Sequence, residues 1–242
     1  MGFRVSDKLK YAWSLVNIYT ALAQSILELR NLSFTYRGTS DPALKQVSYA
    51  HDPGEFTVIM GPTGAGKSTF CRCLNGLIPT FIKGDFQGDH KVAGLNADEK
   101  HQVYEFARRI GLVFQDFEAQ LFSTNVELEV AFGLENFAVP REEMPPRVGA
   151  ALSRVGLSGF KDRDPSTLSG GEKQRLAIAS VLVSRPTVLV MDEPTTDLDP
   201  IGKREVFQLA RDLREEIEGI ILVEHETDHV LTADRLVIMW DG

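Results

Sequence analysis

Three short stretches bring together residues with the types and spacing to do chemistry. The first is Gly61-Pro62-Thr63-Gly64-Ala65-Gly66-Lys67-Ser68-Thr69, entered from the apolar run Phe56 to Met60 and left through the helix-like segment Phe70 to Asn75. Glycines at 61, 64 and 66 let the backbone curl with its N–H groups inward. Those donors and the positive end of the next helix make an anion cradle. The spacing G-x-x-x-x-G-K-[ST] between strand and helix is that of a phosphate-binding P-loop. There Lys67 reaches the β- and γ-phosphates and the Ser68 hydroxyl ligates Mg²⁺. The second stretch, Val188 to Met191, is apolar and ends in Asp192-Glu193. At the C-terminal end of a parallel strand such acids face the ligand crevice. Asp192 can hold a phosphate-bridging Mg²⁺, and Glu193 can polarise a water for in-line attack. The third, Ser169-Gly170-Gly171, starts a helix and offers a second anion site. One triphosphate rarely needs two, so two subunits are expected to share each nucleotide. Taken singly, each stretch also has an inert reading: a glycine turn, solvated acids at a strand end, a glycine-containing helix start.

These residues need a scaffold. Ile26 to Arg30 and Leu32 to Tyr36 read as two short alternating strands, followed by a turn-rich loop at 37–42. Val47 to His51 and Phe56 to Met60 are further strands, and residues 78–94 give loop and edge strand. A polar helix is expected over 97–107 and a short strand over 110–114. The block 116–167 then looks helical, with apolar positions 126, 128, 130, 131, 132 and 134 on one broad face and Pro145-Pro146 as a break. A helix from Leu168-Ser169 runs to Val183, a buried-type strand covers 187–191, and an amphipathic helix covers 202–216. Residues 219–223 and 236–240 complete the strands, and Asp241-Gly242 reads as a hairpin-type turn. The fold class is α/β, with a helical subdomain inserted into an α/β core.

Composition narrows the partners. Net charge is −8, from 26 basic and 34 acidic residues, which argues against gripping a nucleic-acid backbone. Cys71 and Cys73 are the two cysteines; two apart on a helix, they do not face each other and read as small buried side chains. No run of about 18 apolar residues occurs. Tyr11 to Leu27 is uncharged, with Lys8 and Lys10 before it. It reads as a helical or poorly ordered extension rather than a signal peptide, because Asn17, Thr20, Gln24 and Ser25 interrupt it.

In order along the chain, the motifs resemble the nucleotide-binding subunit of ATP-binding cassette (ABC) transporters. Gly61 to Thr69 matches Walker A, Leu168 to Arg175 the family signature, Met191 to Thr195 Walker B and Thr196 to Asp199 the D-loop. The signature more often has Gln where Glu172 stands. The likeness covers residues ~28–242. It implies a P-loop NTPase (RecA-like) core, 28–115 and 168–242, with an N-terminal antiparallel β subdomain, a helical subdomain at 116–167, and residues 1–27 as an extension. It also implies ATP and Mg²⁺ as cofactors and two cassettes closing head to tail. Gln115 resembles the family's Q-loop glutamine, a Mg²⁺ and water contact. His225 resembles the switch histidine at the γ-phosphate, and Tyr36 the aromatic that stacks on adenine. His51, His90, His101 and His229 carry no such match and are read as structural.

Phe114 to Phe122 is similar to the same segment of energy-coupling-factor ATPases, which drive uptake of vitamins and metal ions such as cobalt and nickel. Those usually have Pro where Phe117 stands. Asn75 to Pro79 with Lys83-Gly84 also resembles that group, in particular the first half of forms with two fused cassettes. Family members normally continue past Gly242, so a longer polypeptide is expected. The branch implies ATP-driven import through a transmembrane subunit at the cytoplasmic face of the membrane, with Phe117, Leu121, Phe122 and Phe132 either lining a groove for that subunit's coupling helix or packing into the core. Soluble ABC ATPases of DNA repair carry coiled-coil or zinc-bearing insertions, and translation-linked ones a basic arm between cassettes. This sequence shows neither.

Overall fold

A computed structural model describes residues 25–92, 94–96, 103–225 and 232–242. The expected extension lies outside the described residues up to position 24, and so do His101, His229 and most of the expected 97–107 helix.

Two sheets organise the chain. The antiparallel sheet has the order β2-β1-β4-β5: β1 (Leu27–Tyr36), β2 (Leu44–His51), β4 (Gly84–Val92) and β5 (Leu95–Asn96). The expected break between two N-terminal strands is instead an irregularity within one. The registers to β2 and β4 both shift near Asn31, whose φ of 50° admits the extra residue. The β4 segment, expected at an edge, is interior, flanked by β1 and β5. Its glycines answer close approaches: a Cβ at Gly88 would stand 2.5 Å from the Asn31 carbonyl oxygen.

The second sheet has the order β6-β7-β8-β3-β9, every pairing parallel: β3 (Glu55–Met60), β6 (Ile110–Val113), β7 (Val188–Asp192), β8 (Gly219–Val223) and β9 (Arg235–Ile238). Its residues feed two cores by alternation. Val188 and Val190 of β7 join Ile59, Leu112, Ile221 and Val223 in a core that also holds Phe34 of β1 and Phe70, Cys71, Cys73 and Leu74 of α1 (Lys67–Leu74). Leu189 and Met191 point the other way, into a core shared with Val113, Leu222 and the helices. Helix α1 therefore lies between the two sheets. Both cysteines are fully buried, and burial pushes the Cys73 thiol up to about 12.

After the short α2 (Leu77–Thr80) and α3 (Val103–Arg109), the helices are α4 (Val126–Asn136), α5 (Met144–Arg154), α6 (Gly170–Leu182) and α7 (Pro200–Asp212). The starts of α4, α6 and α7 are side-chain capped. Asn125 Oδ1 accepts from Leu128 N at 2.8 Å and Asp199 Oδ1 from Gly202 N at 2.7 Å. The two helical segments part at 137–140, ahead of Pro145-Pro146 rather than at them. The prolines occupy the first turn of α5, where a missing N–H has no partner to lose.

Candidate nucleotide site

The parallel strands β3, β6, β7 and β8 end at one rim, and the predicted P-loop and acid-bearing residues converge there. The P-loop turns from β3 into α1 through Gly61 (φ 156°) and Gly66 (φ 93°). A Cβ at Gly61 would lie 2.2 Å from the Met239 carbonyl oxygen, and one at Gly66 2.4 Å from the Ala43 carbonyl oxygen. Both positions thus need glycine for conformation and for space. Pro62, Thr63 and Gly64 are exposed and Ala65 is buried.

Lys67 is buried, and its Nζ donates to the carbonyls of Gly61 (3.0 Å) and Pro62 (3.2 Å). It also lies 3.4 Å from Glu193 Oε1. Glu193 gathers the remaining groups. His225 Nε2 is 2.7 Å from Glu193 Oε1, and Gln115 Nε2 donates to Oε2 at 3.0 Å. A carboxylate only accepts, so the imidazole hydrogen facing it sits on Nε2. These partners come from the ends of β6 and β8 and from the P-loop. Glu193 itself has φ 52°, a conformation rare for a side-chain-bearing residue. Its amide is held by the Val223 carbonyl at 3.0 Å.

Asp192 is buried, and Ser68 hydrogen-bonds its carboxylate. Desolvation is the larger effect, with the Glu193 charge adding to it, and raises its pKa above the ordinary carboxylate value. The Ser68 bond, Arg72 and Lys67 oppose this. Asp192 Oδ1 has no hydrogen-bond partner among the described residues. A buried carboxylate oxygen with a free lone pair beside a serine hydroxyl fits a hard, oxygen-seeking cation such as Mg²⁺.

Tyr36 stands beside α1. Its hydroxyl is 3.0 Å from Thr69 Oγ1 and 3.4 Å from Arg72 Nη1, and its ring meets Phe34 edge-on at 4.9 Å. The signature residues lie elsewhere. Ser169 caps α6, and Ser169, Gly170 and Gly171 line a 430 Å³ cavity with residues 197–199, 201 and 202 that contains no P-loop residue.

The expected coupling groove divides. Phe117 belongs to the core and Leu121 packs against it, because apolar side chains of the helical block close over them. Phe122 and Phe132 are exposed, their rings edge to face at 4.6 Å. His51 and His90 are buried structural residues, one 2.8 Å from the Tyr49 hydroxyl and the other stacked on Phe106.

Sequence reasoning missed three polar groups. Glu224 is buried and accepts from Thr195 Oγ1 at 2.7 Å, tying the segment after β7 to the residue before His225. Arg72 reaches Tyr36 and, through its field, Asp192. Glu129, buried within the apolar face of α4, accepts from Phe122 N (3.0 Å) and Ser123 N (2.8 Å) and holds the loop after Gln115. An acid inside an otherwise apolar helix face was the available signal for Glu129.

Known proteins resemble this chain over most of its length. The family described as ABC transporter matches residues 44–196. An ABC transporter ATP-binding protein of Caldanaerobacter subterraneus is 54% identical over 91% of this chain and 39% of its own length. The energy-coupling factor transporter ATP-binding protein EcfA1 of Lacticaseibacillus paracasei is 39% identical over 90% of this chain and 77% of its own. The chain thus spans well under half of the first relative and most of the second. Among solved structures, CbiO1 of Clostridium perfringens, described as part of the ABC transporter complex CbiONQ, superposes with a TM-score of 0.79. It is 37% identical over 90% of this chain and 86% of its own. The ATP-binding cassette MJ0796, solved as a post-hydrolysis dimer bound to ADP and Pi, gives 0.76 at 28% identity over 89% and 95%. With a P-loop NTPase core, an antiparallel β subdomain and relatives of this kind, the chain belongs to the ABC transporter family.

Proposed function

We propose that this chain powers import of a small solute, a vitamin or a metal ion such as cobalt or nickel, through a membrane partner. The observation that carries the catalytic part is the convergence of Lys67, Gln115 and His225 on the single carboxylate of Glu193. Tyr36 stacks on the adenine, and the backbone N–H groups from Gly61 to Thr69 cradle the phosphates. Ser68, Asp192 and Gln115 would hold Mg²⁺, which would offset the phosphate charge. Lys67 exchanges its carbonyl and Glu193 contacts for the β- and γ-phosphates. That exchange frees Glu193 to accept a proton from the attacking water, with His225 at the γ-phosphate.

The second half of the pocket is supplied by another cassette through its Ser169, Gly170 and Gly171. The separation of the signature cavity from the P-loop supports this, as does the dimeric state of MJ0796. The import branch is supported by the name of the EcfA1 relative and the segment Phe114 to Phe122. The exposed Phe122–Phe132 pair offers apolar area for the membrane subunit, which would place the chain at the cytoplasmic face of the membrane. Among the described residues, no helix is long and apolar enough to cross a membrane.

Glu193→Gln tests the assignment. The amide keeps the shape and cannot take a proton, so turnover of the assembled transporter should fall by about 10²–10⁴-fold with ATP binding retained. Turnover within twofold of the parent would remove Glu193 from its role.

A further inference from the structure

Ser169 has one hydroxyl hydrogen, and the structure spends it within its own helix. Ser169 Oγ donates to Glu172 Oε2 at 2.9 Å, and the Ser169 amide donates to the same oxygen at 2.8 Å. Glu172 N donates back to Oγ at 3.3 Å, completing a capping box. The surrounding cavity carries three more carboxylates, Asp197, Asp199 and Glu205, and one guanidinium, Arg175. Arg175 is already paired with Glu205, and Asp199 accepts from Gly202 N. The other cation acting on Glu172 is Arg163, which lies over the Phe160 ring. The surface is thus richer in acids than in bases, and its one neutral hydroxyl donor is held by a charged acceptor.

We propose that Glu172 is a positioning residue. It latches the Ser169 hydroxyl inward in the open chain and sets how readily a second cassette's nucleotide closes on this surface. The inference rests on the shared-nucleotide reading above. For Ser169 to donate to an incoming phosphate, Oγ must leave Glu172 Oε2. A bond to an ionised acceptor is roughly twice as strong as one to a neutral acceptor. Glu172→Gln keeps the cap, the shape and both donor contacts but weakens the hold. The closed state should then gain about fivefold per site. A symmetric dimer has two such sites, so its dissociation constant should fall by about 25-fold.

The test measures association of the full chain, carrying Glu193→Gln to block hydrolysis, by sedimentation equilibrium with ATP and Mg²⁺. Glu172→Gln should tighten the dimer by the stated factor. In a Ser169→Ala background the same substitution should do nothing, because no hydroxyl remains to be released. An unchanged or weaker dimer overturns the latch and leaves the shared pocket standing. So does a tightening that persists without Ser169, which would be a plain charge effect. Absence of any ATP-dependent association in the Glu193→Gln parent overturns the shared pocket itself, and the latch with it.

Discussion

Replacing Asp192 by asparagine should make the free chain more stable while removing its response to magnesium. Asp192 is 3% exposed, and its Oδ1 has no partner among the described residues. An uncompensated buried polar atom destabilises by about 1–3 kcal/mol, more when it is charged. Asparagine preserves volume and an acceptor toward Ser68 but carries no charge. Its amide hydrogens still lack a partner, so the ionic share of the penalty is what disappears, about 1–2 kcal/mol. For a chain of this size each kcal/mol moves the melting temperature by about 2–4 °C, giving a rise of roughly 2–8 °C. The pH dependence has a definite sign. Burial raises the folded-state pKa of Asp192, so protonation favours the fold. That benefit is full below the ordinary value of 3.8 and is lost as pH rises through the raised one. The advantage of the variant is therefore greatest at neutral pH and vanishes in acid. The assay is a thermal melt of parent and Asp192→Asn with EDTA alone, with ATP and EDTA, and with ATP and Mg²⁺. The parent should gain further stability on going from the second condition to the third, and the variant should not. A variant that melts at or below the parent at pH 7 without ligand refutes the desolvation argument. Equal magnesium shifts in both refute the metal-ligand argument.

Two other perturbations test the frame around the site. Gly66→Ala forces φ 93° on a residue with a Cβ and sets that atom 2.4 Å from the Ala43 carbonyl oxygen, so ATP affinity measured by calorimetry should fall by about 100-fold or more. His90 is pushed down to about 4 by burial, so the unfolded chain takes up its proton first; the stability it protects is present above pH 6.5 and is lost as pH falls toward 4, about 3 kcal/mol in all. His90→Phe, which can keep the stack on Phe106, should reduce the pH dependence of the urea midpoint over that range; His51, also lowered by burial, contributes a slope of the same sign.

Local geometry was legible in the sequence, and long-range convergence was not. The P-loop could be read because the φ values that call for glycine at Gly61 and Gly66 are local to the turn; the Met239 and Ala43 carbonyls that crowd them are long-range and were not legible. The strand-end position of Asp192 followed from the apolar run before it. That Glu193 collects Gln115, Lys67 and His225 could not be derived from spacing, because these come from three chain segments that only the β6-β7-β8-β3 order brings side by side. Family likeness singled out those residues without giving their contacts. The sequence left Phe117 and Phe122 undivided between core and groove because a buried and an exposed phenylalanine look alike in a loop, and the packing that separates them comes from helices later in the chain. The single strand Leu27–Tyr36 was misread as two because Asn31 carries a turn signal that here serves an irregularity inside a strand.

The alternation of β7 has a consequence for how this strand can change. Val188 and Val190 fill one core and Leu189 and Met191 the other, and the same parity turns Asp192 toward α1 and Ser68. Inserting or deleting one residue upstream would exchange both sets at once and swing the acid to the opposite side of the sheet. Two independent hydrophobic interiors thus act as a phase lock on a single carboxylate. Swaps among branched aliphatic residues leave that phase untouched, so the strand's identity can drift while its length cannot.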